Sequence, residues 1–229
     1  MTSEILAIIF ALILALAYHF GNQFIFKKKN VRNKLISFSA GISVTYLILE
    51  LFPRFTAGAL EIDQLIFLSV LFGFITHHLI EKNIYQHHHL KQDLKRLLSL
   101  EENIFSFFYH LIVGVLMVYL LKGHLVDGLL FFIPILSFTL INSLTTEPHT
   151  SLVDSILNSS ACLVGVISTI FIYDHIPAWF FYSILGFIIG IMMFSITRHH
   201  VPFGKKGKPE YFFIAFVIYS IIIIISWYV

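Results

Sequence analysis

The chain has 229 residues, of which 58% are hydrophobic and only 12% charged, and its formal net charge is +2. A soluble domain carries roughly 25% charged residues, so this composition excludes a water-soluble protein with a single hydrophobic core. The basic residues are spread along the chain, and we expect the lipid bilayer and no nucleic acid as a partner.

Eight apolar runs of membrane-spanning length follow one another along the chain. A transmembrane helix needs about 20 apolar residues, and backbone groups in lipid must be hydrogen-bonded within the segment. We predict an all-α, polytopic membrane helix bundle that forms one transmembrane domain over 1–229. The predicted spans lie at about 4–24, 35–52, 64–80, 104–121, 128–149, 157–173, 179–197 and 210–228.

The basic residues indicate how the spans are oriented. Cytoplasmic loops are rich in Lys and Arg, and 13 of the 15 Lys and Arg lie in the loops after spans one, three and seven, which leaves Arg54 and Lys122 opposite. We expect a multi-pass protein of the cell membrane with both termini on the non-cytoplasmic side. The segment 81–103 is predicted to be a cytoplasmic, His-containing loop, and its later part, 90–103, a short amphipathic interfacial helix.

Spans two and seven resemble each other. Gly41–Pro53 reads GISVTYLILELFP, and Gly190–Pro202 reads GIMMFSITRHHVP. Both begin Gly-Ile, place a polar residue nine positions after the glycine (Glu50 and His199) and end in proline. Because the two spans cross the bilayer in opposite directions, we predict an inverted repeat of helices 1–3 and 6–8, which is a common way to build transporters.

Ionisable side chains inside the spans are candidates for function, because they are costly in lipid and usually face the bundle interior. His110 lies deepest, and His77 and Glu81 share a helix face at the end of span three. A single buried histidine is more often hydrogen-bonded than metal-bound, so both alternatives stay open. A short histidine tract follows, with His87, His88 and His89. Such a tract either binds metal loosely and collects it for the protein or is a solvated stretch without a function.

Two further polar stretches lie at the ends of span five. The stretch HLVDG, with His124 and Asp127, falls between spans four and five, and we favour a plain hairpin turn there. At the other end, TEPHT contains Glu147, Pro148 and His149. Proline frees a backbone carbonyl group, and imidazole and carboxylate are ligands that zinc accepts.

In this arrangement the chain resembles the ZIP family of divalent metal transporters over nearly its whole length. That family has eight helices, both termini outside and a cytoplasmic His-rich loop after helix three. The stretch SAGISVTYLILELFP resembles its helix two, LIEKNIYQHHH the end of its helix three, LNSSACLVGVIS its helix six and FIIGIMMFSITRHHVP its helix seven.

The resemblance implies metal ligands on spans four and five. The family motif His-Asn-x-x-Asp-Gly is matched best by YHLIVG, where His110 takes the asparagine position and Val113 the aspartate position. The motif His-Glu-x-Pro-His-Glu is matched best by TTEPHT, which keeps Pro148 and His149, while Glu147 falls at the variable position. Carboxylates are lost from both motifs, which reduces the family's two-metal arrangement to one ion. The metal ligands that the resemblance implies are His110, His149 and Glu147 in the core and Glu50, His199 and Glu81 along the pathway.

We therefore expect a ZIP-like transporter of a divalent cation, zinc first, through a single-ion site between helices 4 and 5. No cofactor is obligatory, and homodimerisation is left open. The lost carboxylates favour an alternative, a ZIP-fold membrane protein that no longer transports metal and acts as a binding or regulatory partner. An enzyme is not expected, because intramembrane hydrolysis by zinc needs His-Glu-x-x-His on one helix, and this spacing does not occur in the sequence.

Overall fold

The computed structural model describes the backbone of residues 2–21, 29–87, 91–145, 152–200 and 207–228. Side chains are described throughout these ranges except at 21, 29, 87, 91–95, 99, 102, 141–145, 152–155 and 199–200. All regular structure in these ranges is helical, which confirms the predicted all-α class.

Nine α-helices follow one another in the described chain. They are α1 (Thr2–Gly21), α2 (Lys29–Tyr46), α3 (Phe52–Ile62), α4 (Leu68–His87), α5 (Lys91–Gly123), α6 (Leu125–Thr145), α7 (Leu152–Ile172), α8 (Ala178–Ser195) and α9 (Pro209–Ser226). Two π-helical segments, Leu47–Leu51 and Ile196–His200, continue α2 and α8. Seven helical segments are long and apolar enough to cross a membrane, and α6 adds a described apolar stretch, Leu125–Leu140. The helices thus have the lengths and composition of a multi-pass membrane protein.

Span two extends beyond its predicted end because Pro53 does not stop the helix. In a regular helix, a proline ring clashes with the carbonyl group four residues earlier. Here the π-helical segment Leu47–Leu51 ends two residues before Pro53 and widens the helix. The helix therefore continues as α3 to Ile62, and Asp63 follows it in an extended conformation.

The segment 81–103 is not a loop over most of its length. Helix α4 continues to His87, and α5 begins at Lys91 and runs through 33 residues to Gly123. The stretch 90–103 is helical from Lys91 onward, as predicted, but it is the beginning of α5 and not a short helix of its own. No proline or glycine interrupts the chain between Lys91 and Gly114, so nothing ends the helix there.

Glycines bring pairs of helices into close contact. A Cβ atom at Gly114 of α5 or at Gly165 of α7 would collide with a carbonyl oxygen of the other helix. The same holds for Gly73 of α4 and Gly190 of α8, and Gly41 places α2 against α9. In lipid, where apolar burial gives helices little net attraction, such backbone contacts stabilise the helix pairs.

The helix contacts divide the chain into two units. Helices α1, α5, α6 and α7 pack on one another and form the first unit, whereas α2, α3, α4, α8 and α9 form the second unit. The units meet mainly where α2 lies along α6 and where α4 and α8 touch α5. At this boundary the ring centroids of Tyr46 on α2 and Phe131 on α6 are 6.1 Å apart.

Contacts between helix ends distinguish the two ends of the bundle. At the terminal end, where α1 begins and α9 ends, Glu4 pairs with Lys122, and the side chain of Trp227 donates to Glu50. The other end, which we call the basic end, carries the connections after spans one, three and seven. There the backbone N–H of Lys208, before α9, donates to the hydroxyl group of Ser37 on α2.

Candidate functional site

His110 lies in the interior of the first unit and is only 3% exposed. Its Nδ1 atom is 2.7 Å from the carbonyl oxygen of Ser106, one turn earlier on α5, and its Nε2 atom is 3.3 Å from Oγ1 of Thr139 on α6. Because a carbonyl oxygen only accepts hydrogen bonds, we assign the proton to Nδ1. The Nε2 atom then directs a lone pair towards α6, which is the neutral form in which imidazole binds metals.

Uncharged polar groups surround His110. The ring of Tyr18 on α1 meets the imidazole edge-on, with the two centroids 5.3 Å apart. Asn158 on α7 donates from Nδ2 to the hydroxyl group of Tyr18 at 3.2 Å and to Oδ1 of Asn103 on α5 at 3.4 Å. All four helices of the first unit contribute to this polar core, which consists of Tyr18, Asn103, Ser106, His110, Thr139 and Asn158.

The α6 residue that contacts His110 is Thr139, which the sequence patterns did not single out. It lies six residues before Thr145, where the predicted motif begins, and a helix rises about 9 Å over six residues. The sequence nevertheless contains a signal for the contact between His110 and Thr139. The chain turns at His124, and His110 and Thr139 lie almost equally far from that turn, so antiparallel helices bring them to the same depth.

Glu50, predicted as a pathway ligand, belongs to a charge cluster at the terminal end. Its Oε1 atom is 3.1 Å from Nη2 of Arg54, and its Oε2 atom accepts a hydrogen bond of 3.3 Å from Nε1 of Trp227. Arg54 also pairs with Asp127 of α6 at 2.8 Å. Of the stretch HLVDG, predicted to be a hairpin turn, only His124 lies between the helices, because α6 begins at Leu125. Asp127, in the first turn of α6, joins this helix to α3.

His77 and Glu81 lie on α4 near the basic end, where they pair with different helices. Oε1 of Glu81 is 3.2 Å from Nε of Arg198, just after α8. Nδ1 of His77 is 3.6 Å from Oε1 of Glu101 on α5, and the imidazole stacks on Phe105 with ring centroids 4.3 Å apart. Glu101, which the sequence analysis placed in an interfacial helix, is thus part of a pair between two helices of the bundle.

The described residues do not bring the predicted ligands together. His110, Glu50 and Glu81 each lie in a different cluster. Among the described side chains, no three from His, Cys, Asp and Glu form a group that could hold a metal ion. The other predicted ligands lie outside the described residues (Glu147, His149, His88 and His89) or have only their backbone described (His87 and His199). Their part in a site stays a prediction.

The fold and the polar core together define the class of protein. It is a multi-pass bundle of membrane-length helices with an uncharged, hydrogen-bonded core that is buried around His110. Neither family models nor curated protein sequences give a match to this chain. The described part of the core offers an entering ion one imidazole nitrogen, on His110, and the hydroxyl oxygen of Thr139 beside it.

Proposed function

We propose that the chain is a ZIP-like membrane transporter that moves a divalent cation, zinc first, through a single-ion site in the first unit. The protonation and the hydrogen bonding of the His110 ring carry this proposal. Metal-binding histidines commonly donate the other ring N–H to a backbone carbonyl group, as Nδ1 of His110 does to Ser106. Glu147 and His149 are the proposed further ligands, and the cation is the transported substrate.

The proposed transporter contains an inverted repeat of helices 1–3 and 6–8, and two observations support this repeat. The π-helical segment begins six residues after the glycine in both copies, at Leu47 after Gly41 and at Ile196 after Gly190. In the predicted repeat, α2 corresponds to α8, and α9 corresponds to α4. The close contact of α2 with α9 therefore has its counterpart in the contact of α8 with α4. Repeats of this kind place substrate sites at the membrane midplane.

A second candidate function, a ZIP-fold protein that no longer transports metal and acts as a binding or regulatory partner, is favoured by a different observation. A divalent cation in lipid needs several anionic or imidazole ligands. Glu50 and Glu81 are each paired with an arginine, and Nε2 of His110 is already in contact with the hydroxyl group of Thr139.

Bound metal in the purified protein tests the proposed function. We expect a single zinc ion per chain, measured by elemental analysis and by calorimetric titration, and its loss in a His110→Ala/His149→Ala variant. The matched control is His124→Ala/His175→Ala, which removes two exposed histidines and should keep the ion. If the wild-type protein binds no zinc, iron, manganese or cadmium, the metal function is wrong and the second candidate remains.

A further inference from the structure

Pairs of ionisable side chains from different helices occur at both ends of the described bundle. Two lie at the terminal end and two at the basic end: Glu4–Lys122 and Arg54–Asp127, and Glu81–Arg198 and His77–Glu101. At each end, one pair stays within a unit and the other crosses from one unit to the other. Glu4–Lys122 joins α1 to α5 inside the first unit, and Glu81–Arg198 joins α4 to the end of α8 inside the second unit.

The two crossing pairs are partly shielded from solvent. Arg54 and Asp127 join α3 to α6 at 2.8 Å, with their side chains 31% and 16% exposed. His77 and Glu101 join α4 to α5 at 3.6 Å, with their side chains 13% and 6% exposed. Because partly buried charges are screened less than exposed ones, Arg54–Asp127 favours a closed boundary between the units at the terminal end. At the basic end, the contact of His77 with Glu101 and its stacking on Phe105 of α5 favour a closed boundary.

Between these two ends, the face of α2 that turns away from α9 is polar. Gly41 faces α9, and residues two positions away on a helix lie about 160° around its axis. Ser39 and Ser43 occupy those positions, are buried, and have hydroxyl groups without a hydrogen-bond partner among the described residues. The nearby hydroxyl of Thr45, by contrast, donates to the carbonyl group of Gly41. Burying unpaired hydroxyl groups is unfavourable, so this face is suited to meet a polar solute.

We propose that Arg54–Asp127 and His77–Glu101 are the two gates of the transport path, which close the boundary between the units at the terminal end and at the basic end. The face of α2 with Ser39 and Ser43 lines the path between them. This inference rests on the proposed function, because a transporter with alternating access opens one end at a time. Loss of one crossing pair opens that end and leaves the other closed.

Thiol labelling of a buried reporter cysteine tests the gates without any metal. The native Cys162 is first replaced by alanine, and the reporter is Ser43→Cys, a nearly isosteric change at a buried position of α2. A second reporter, Ile135→Cys, is buried on α6 one turn after Phe131, whose ring lies near Tyr46 of α2. A membrane-impermeant methanethiosulfonate is added to one side or the other of oriented vesicles.

Asp127→Asn is expected to raise the labelling rate from the terminal-end side alone, and Glu101→Gln from the basic-end side alone. A rise of about tenfold is expected, because removing one interaction of ordinary strength shifts a two-state equilibrium by about that factor. The matched controls are Glu4→Gln and Arg198→Gln, which remove a charge pair at the same end but within one unit. Both should leave the labelling rates unchanged.

The gates are wrong if Asp127→Asn and Glu101→Gln change the labelling rate of neither reporter, or if they raise it equally from both sides. They are also wrong if the control variants raise the labelling rate as much as these two variants do. Side-specific labelling in a protein that binds none of the tested metals would keep the gates and contradict the cation as substrate. Metal binding and uptake without side-specific labelling would keep the proposed function and contradict the gates.

Discussion

His110 has a defined protonation pattern because its two ring nitrogens face different partners. Ser106 accepts the Nδ1 proton through its backbone, and Thr139 supplies a hydroxyl group to Nε2 from the facing helix. The sequence predicted that His110 is the deepest ionisable residue and a metal ligand; its burial is confirmed, and its role as a ligand stays a prediction. It did not identify Thr139 or Asn158, because an uncharged residue in an apolar run has no signature until the depth of each helix is known.

Thr139→Val should lower the free energy of unfolding by about 1–2 kcal/mol, because it leaves Nε2 of His110 buried without a donor. Thr169→Val is the matched control. Thr169 is equally buried, but its hydroxyl donates to the carbonyl group of Gly165 in its own helix at 2.7 Å. Unfolding in detergent measures both variants, and equal losses would contradict the role of Thr139 between helices.

At the scale of the helix, α6 shows how one proline creates a contact between the units. Pro134 has no N–H group, so the carbonyl group of Leu130, four residues earlier, lacks its partner within the helix. Tyr219 of α9 donates its hydroxyl proton to this carbonyl group at 2.6 Å. The proline thus frees an acceptor on the first unit, and the second unit uses it.

Tyr219→Phe should lower the free energy of unfolding by about 1–3 kcal/mol, because the buried carbonyl group of Leu130 loses its donor. In a Pro134→Ala background the same change should cost less, because residue 134 then supplies an N–H group within the helix. A double-mutant cycle in detergent measures this coupling. The same cost in both backgrounds would show that Tyr219 does not compensate for the proline.

The sequence predicted the existence of the helices better than their ends. Apolar runs located every membrane-length helix, because lipid requires about 20 apolar residues in a row. The ends of α3 and α5 were missed for different reasons. Pro53 normally ends a helix but here follows a π-helical segment, and the charged first turns of α5 have the pattern of an interfacial helix although they continue directly into a span.

For the whole molecule, the packing of neighbouring helices explains the placement of charge at the terminal end. Arg54 and Lys122, the two basic residues predicted to lie opposite the others, are paired with Asp127 and Glu4 from other helices. Sequence periodicity could not predict these pairs, because they depend on which helices become neighbours. The predicted orientation, with both termini outside the cytoplasm, remains a proposal that these pairs do not oppose.

Uptake of zinc into liposomes that contain the purified protein tests most directly the central claim that the chain transports a divalent cation. We predict saturable uptake down a zinc gradient, abolished in His110→Ala/His149→Ala and unchanged in His124→Ala/His175→Ala. If correctly inserted wild-type protein takes up none of zinc, iron, manganese and cadmium above protein-free liposomes, the claim is contradicted.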